Sequence, residues 1–175
     1  MLLKELAAVL SVALLVGCAS PATQQSMSIS AQDMVATVNP GLKGQLVVRS
    51  VTGGQDTNPM WMSKVDTQSF KGALDKSIAV AGYKANDAAA GKYRVDANLQ
   101  DLDQPLMGFT FDVVSKVLYT VSGQTKQEQF AVTATGSAST SDAFVGMERM
   151  RIANERSIKE NIKLFLQKLG ESTGW

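Results

Sequence analysis

Three stretches of strict alternation, followed by one long helical stripe, constrain this chain most. Tyr93, Val95, Ala97 and Leu99 alternate with Arg94, Asp96, Asn98 and Gln100. Phe109, Phe111, Val113, Ser115, Val117, Tyr119 and Val121 recur at every second position, and so do Phe130, Val132, Ala134, Gly136 and Ala138. A period of two places each set on one face of a half-buried strand. The alternation slips at Asp101-Leu102, which marks a bulge or a strand end. Gln104-Pro105-Leu106-Met107-Gly108 and Ser122-Gly123-Gln124 read as reversals between strands. An earlier strand runs through Leu46-Val47-Val48-Arg49-Ser50-Val51, starting near Gly44, after the turn residues Asn39-Pro40-Gly41.

Two segments change to helical spacing. Phe70, Ala73, Leu74, Ser77, Ile78 and Ala81 repeat on one side of a helix over Asp66 to Ala81. Asp66 is placed as N-cap, Val65 and Phe70 as a hydrophobic staple, and Gly82 as the terminating residue. The second helix is expected over Asp142 to Leu169, with Ser141 as N-cap and Gly170 beyond its end. Met147, Met150, Ile158, Ile162, Phe165 and Leu169 share one side of it, with Asn154 and Asn161 in the same stripe. Arg149, Arg156, Lys159 and Lys163 fall on the opposite side. At 1.5 Å per residue this helix is about 42 Å long, a good match to a long strand hairpin.

The order β-α-β-β-β-α implies an α+β single domain. A four-stranded, mostly antiparallel sheet would carry both helices on one face. A strand-helix-strand unit normally leaves its two strands parallel. That places the loop after the first strand, the reversal after the second and the start of the last helix at one pole. Met60, Trp61, Met62, Leu106, Met107 and Phe144 would gather there as a candidate partner surface.

The amino-terminal stretch sets the address. Lys4 precedes an apolar run from Leu6 to Val16 interrupted only by Ser11. Eleven helical residues span roughly 17 Å, too short for a ~30 Å hydrocarbon core. The length fits a secretory signal peptide. Leu15-Val16-Gly17-Cys18 resembles a bacterial lipobox. The resemblance implies a diacylglyceryl thioether on Cys18, cleavage before it and acylation of the new amino terminus. Ala19 stands where an inner-membrane retention signal has Asp, which by resemblance to enterobacterial sorting implies the outer membrane. The boundaries are then 1–17 for the signal peptide, 18–33 for the lipidated Cys and a flexible tether, and 34–175 for the domain. Small polar residues without a period suggest the tether, with a typical reach of about 20 Å. It would enter the first strand from the pole opposite the apolar one, which would point that pole away from the membrane. A chain starting at Asp33 is expected to fold alone.

Composition excludes several chemistries. The formal net charge is +1, and the signal peptide removes one Lys and one Glu, so no basic excess points to nucleic acid. The chain has one Cys and no His. A disulfide within the domain is impossible, and Ser-His-Asp and Cys-His catalysis and the common zinc sites are ruled out. Ser-x-x-Lys does not occur. No catalytic residue, cofactor or metal site is assigned, and the chain reads as a non-enzyme.

Four constellations allow two readings each. Asp101, Asp103 and Asp112 could bind a cation or form a carboxylate pair, or simply solvate a turn. Asn154 and Asn161 could face a ligand, or fix helix register as satisfied buried polar groups. The basic side of the last helix could meet anionic lipid, or be a solvated face with Glu155 and Lys159 paired at i and i+4. Met60-Trp61-Met62 and Leu106-Met107 could form an adaptable binding surface, or loop packing.

The lipobox together with the strand-helix-three strands-helix order resembles small outer-membrane lipoproteins of Gram-negative bacteria. The lipopolysaccharide-assembly lipoprotein has such a layout. Phe70 to Tyr83 and Asp142 to Leu169 are similar to the YajG-type group. The resemblance implies a lipid-anchored binding or assembly module of the cell envelope. Its membrane contact would be the lipid on Cys18, and its partner an envelope protein or an amphiphile. A carboxylate-dependent envelope enzyme, such as a wall-sugar hydrolase, and a passive structural lipoprotein are the alternatives.

Overall fold

A computed structural model describes residues 19–34, 38–58, 60 and 62–175. Cys18 and Trp61 lie outside the described residues. Four strands form one sheet in the order β1 (Leu46–Thr52), β2 (Tyr93–Asp103), β3 (Phe111–Ser122) and β4 (Gln127–Ala138). β1 and β2 are parallel, and the other two pairings are antiparallel. The expected α+β domain is therefore present, with three helices among the described residues: two pack on the sheet as expected, and the short first one packs on those two. They are α1 (Gln24–Met27), α2 (Thr67–Val80) and α3 (Gly146–Glu171).

The local signals explain most boundaries. Asp66 caps α2 by accepting a hydrogen bond from Ser69 N at 2.8 Å. Val65 and Phe70 are both buried beside it, as a staple requires. Gly82 ends the helix at φ 75°, a conformation that costs a side-chain-bearing residue about 1–2 kcal/mol. The register of β2 against β3 shifts between Leu99 and Asp101, where the alternation slips. A second irregularity, between Val48 and Ser50 of β1, has no such signal.

One sheet face is buried under the helices. Val95, Val117, Tyr119, Val121 and Val132 meet Phe70, Leu74 and Ile78 of α2 and Ile158, Ile162, Phe165 and Leu169 of α3. The opposite face carries Asn98, Gln100, Lys116, Thr133 and Thr135 and is exposed. α3 lies very close to β4 because Gly136 has no side chain. A Cβ there would stand 2.1 Å from Ser157 N and 2.4 Å from Ala153 O.

Asn161 and Ser157 sit in that seam as satisfied buried groups. Asn161 donates to Ser115 O at 3.1 Å and Val132 O at 3.2 Å, and accepts from the Tyr119 hydroxyl at 2.9 Å. Asn154 donates to Ser63 O at 3.0 Å and accepts from Gln104 Nε2 at 2.7 Å. Both asparagines therefore tie α3 to strands and loops.

Several expectations need correction. Residues 19–33 are not a flexible tether. Ala22, Met27 and Ile29 are buried, and the segment touches both α2 and α3, which have little direct contact with each other. Polar side chains latch it down. Thr23 N and Oγ1 donate to Glu155 at 2.8 and 2.9 Å, and Ile29 N donates to Ser77 Oγ at 3.1 Å. Lys159 is 3.0 Å from Asp33. Glu155 consequently pairs with Arg151 at 2.6 Å and with the arm, not with Lys159.

The closing helix begins at Gly146, four residues later than Asp142, because residues 139–143 form a tight turn. Asp142 accepts from Ser139 N at 2.9 Å, and Asp142 N donates to Ser139 O at 3.0 Å. The helix also continues through Gly170 to Glu171. Phe109 lies ahead of β3 and is exposed. Arg149, expected on the outer side, is buried.

Candidate functional site

Three loops converge at the end of the sheet to which β1, β2 and β4 run: 53–66, 104–110 and 139–145. The first is closed internally by Gln55 N donating to Val65 O at 2.9 Å and Lys64 N donating to Thr57 Oγ1 at 2.9 Å. Asn58 shapes its tip, accepting from Met60 N at 3.0 Å through its side chain and from Met62 N at 3.1 Å through its carbonyl. Gly53 allows the loop to rest on β2, since a Cβ there would be 2.0 Å from Leu99 O.

Two polar side chains bind the loops into a unit. Gln104 joins the first two loops to α3. Its Nε2 donates to Ser63 O at 2.9 Å and to Asn154, and its Oε1 accepts from Lys64 Nζ at 2.7 Å. Arg149 joins the second and third. Its guanidinium donates to Ala143 O at 3.1 Å, Phe144 O at 2.7 Å and Gly108 O at 3.2 Å, while lying 5.2 Å from the Phe111 ring centre. A planar fork of donors can satisfy three carbonyls at once, which a lysine ammonium matches poorly. Among the described residues, Arg149 Nε is the buried side-chain polar atom left without a partner.

Between the loops lies a cleft of about 350 Å³ lined by Met62, Leu106, Met107, Phe111, Met147 and Met150. Its floor is a small apolar cluster of Phe111, Val113, Ala138, Met150 and Ala153. Around the cleft the apolar side chains point outward: Leu106 and Met107 are each 84% exposed and Phe144 93%. Met60 and Phe109 are exposed as well. The structure thus brings Met62, Leu106 and Met107 to one cleft, with Met60 and Phe144 on the loops around it. Phe109 belongs with these residues, although its alternation suggests a strand; the signal that could have placed it outside is Gly108, at φ 151°, immediately before it.

The parallel pairing of β1 and β2 puts these loops at one end, as the crossover rule requires. The orientation of the amino terminus is the reverse of the expectation. Ser20 O accepts from Ser63 Oγ at 2.7 Å, and Ala22 N donates to Lys64 O at 3.1 Å. From there the arm descends past Glu155, Ser77 and Lys159 to Asn39, whose side chain donates to Ser172 O at 2.6 Å at the far end. Ala19 therefore starts at the apolar pole, and only the second half of the path enters β1 from the opposite one.

The acidic residues of the β2–β3 reversal do not converge on a common centre. Asp101 pairs with Lys116 at 2.9 Å, and Asp112 accepts from the Ser137 hydroxyl. Among the described residues no group of three metal-capable side chains occurs. The basic side of α3 is largely paired: Arg156 with Asp142 at 2.6 Å, Lys159 with Asp33, and Lys163 with Glu160 at 3.2 Å. Arg156 holds the Asp142 carboxyl down to about 2, helped by the Ser139 N–H. No helix among the described residues is long and apolar enough to cross a membrane.

These features define a class of fold: a four-stranded mixed sheet with a βαβ start, its helices on one face, and a loop-built apolar cleft at one end. Solved structures with a similar layout include protein XCC0632 from Xanthomonas campestris, of the DUF330 family. It has a TM-score of 0.50 and 10% identity over 79% of this chain and 92% of that one. The hypothetical protein CT253 from Chlamydia trachomatis gives a TM-score of 0.46 at 9% identity, covering 73% of this chain and 93% of its own. A candidate lipoprotein from Caulobacter crescentus CB15 gives 0.43 at 10%, covering 73% and 87%. At these identities the likeness concerns the fold alone. No family model matches the chain, and no curated protein matches it at a significant level.

Proposed function

We propose that this chain is a lipid-anchored, non-catalytic binding or assembly module of the Gram-negative cell envelope, held at the periplasmic face of the outer membrane through Cys18. The observation that carries the reading is Leu15-Val16-Gly17-Cys18, which closes an apolar run too short to span a bilayer. Ala19 in place of Asp supports the outer membrane. The absence of His and of a second Cys from the sequence supports a role without nucleophilic or zinc chemistry. The apolar cleft and its exposed rim support a surface that engages an amphiphile or an envelope protein by burial of apolar area.

The anchor is tested directly. Labelled fatty acid added to cells should mark the wild type and leave Cys18→Ala unmarked and unprocessed at this site. Equal labelling of the two proteins refutes the anchored reading. One acyl chain holds a protein only marginally, whereas two or more hold it stably, so the wild type should also remain with membranes after dilution.

A further inference from the structure

We infer that the apolar pole is a membrane-docking surface, and that its occupant is the lipid leaflet in which the chain's own anchor sits. The inference rests on the anchored reading of Cys18 and identifies what the exposed rim is for.

The path of the arm carries the argument. Ala19 is itself buried, and Ser20 is hydrogen-bonded to Ser63, next to the cleft residue Met62. Cys18 is one peptide from Ala19, a Cα separation of about 3.8 Å. No slack remains between an acylated Cys18 and the folded body. A tether reaching about 20 Å would let the domain stand off the bilayer in any orientation. A single peptide holds the pole from which it emerges at headgroup level.

That pole is where the exposed apolar side chains are. Met60, Leu106, Met107, Phe109, Phe144 and Val145 all lie on its three loops; among the described residues the remaining exposed large apolar side chain is Val80, at the other end of α2. The loops are held as a platform by Gln104 and by the Arg149 fork, so the side chains are presented together. Among the described residues the nearby cations are engaged: Lys64 by Gln104, Arg149 by three carbonyls, and Arg151 by Glu148 and Glu155. Insertion therefore depends on apolar burial and not on headgroup charge, and zwitterionic lipid suffices.

The test uses the full chain, matured in a Gram-negative host, carrying Met107→Cys, Phe144→Cys or, at the distal turn, Thr125→Cys. Each is labelled with an environment-sensitive dye and reconstituted in phosphatidylcholine vesicles whose acyl chains bear doxyl groups. Dyes at positions 107 and 144 should be quenched about threefold, as expected for groups buried ~5–10 Å into the headgroup and acyl boundary, and the dye at 125 should not be quenched. Equal quenching at all three positions, or none at 107 and 144, overturns the inference. A photoreactive residue replacing Leu106 in cells should capture lipid; capture of a protein in its place also overturns it. The mass of Cys18 is read on the same samples. A bare Cys18 refutes the anchored reading alone; the same dye positions in the Cys18→Ala background, added to the vesicles, then report insertion separately.

Discussion

Phe165 is held between two rings. It stacks on Tyr119 with centroids 4.0 Å apart and meets Phe130 edge-on at 5.7 Å, and it is fully buried. Phe165→Ala should cost about 3–5 kcal/mol in urea unfolding, through lost burial and the cavity left behind. Lys163→Ala should stay within about 0.5 kcal/mol, because its partner Glu160 is a surface carboxylate. Similar losses from both would show that the stripe is misplaced. The 3.6-residue period reveals Phe165 because neighbours on its own helix define the face. Arg149 defeats the same rule. Its burial depends on residues 108, 143 and 144 folding over the first turn of α3, and nothing within the helix encodes that cover.

The amino-terminal arm is the element whose role changes most between sequence and structure. Its lower end is fastened by Asp33. The Ser30 hydroxyl and N–H donate to the carboxylate at 2.6 and 2.7 Å, Lys159 lies at 3.0 Å, and together they bring its pKa down to about 2 from 3.8. A folded-state value below the unfolded one adds stability that is fully present above about pH 4 and is lost as pH falls towards 2. Asp33→Asn should therefore lower the urea midpoint at pH 6, by an amount equivalent to up to about 1 kcal/mol for a pair open to solvent. The wild type and the variant should converge only as the pH falls below about 2. A difference that does not change with pH would show that the carboxylate charge contributes nothing.

For the whole molecule, the arm is part of the core. A chain that starts at Asp33 loses the burial of Met27 and Ile29, worth roughly 3–6 kcal/mol together at 1.5–3 kcal/mol per large side chain. Its melting temperature should fall by about 10–20 °C relative to the chain starting at Ala19. Equal melting temperatures would show that the arm only rests on the surface. Neither chain contains Cys, so reductant should leave both melting curves unchanged.

The sequence by itself determined what depends on one element and its nearest neighbours in the chain. The two-residue period of β2 to β4, the cap at Asp66, the terminating Gly82 and the slip at Asp101 are local signals, and each stands where it was read, except that β3 begins at Phe111 and not at Phe109. The parallel β1–β2 pair followed from connectivity, and with it the gathering of Met62, Leu106 and Met107 at one end. Only the tertiary structure decided the course of residues 19–34, the burial of Arg149, the exposure of Phe109 and the choice of Asp33 over Glu155 as the partner of Lys159. For Phe109 the reason is the reversal at Gly108, which takes it out of the strand whose period it fits; for the other three the reason is shared. A short polar segment, or one charged side chain, has no period of its own; its place is set by a groove or a carbonyl cluster that exists only once distant elements have packed. The arm has little more than Ala22, Met27 and Ile29 to bury, and the gap between α2 and α3 that receives them is built by residues about forty or more positions away.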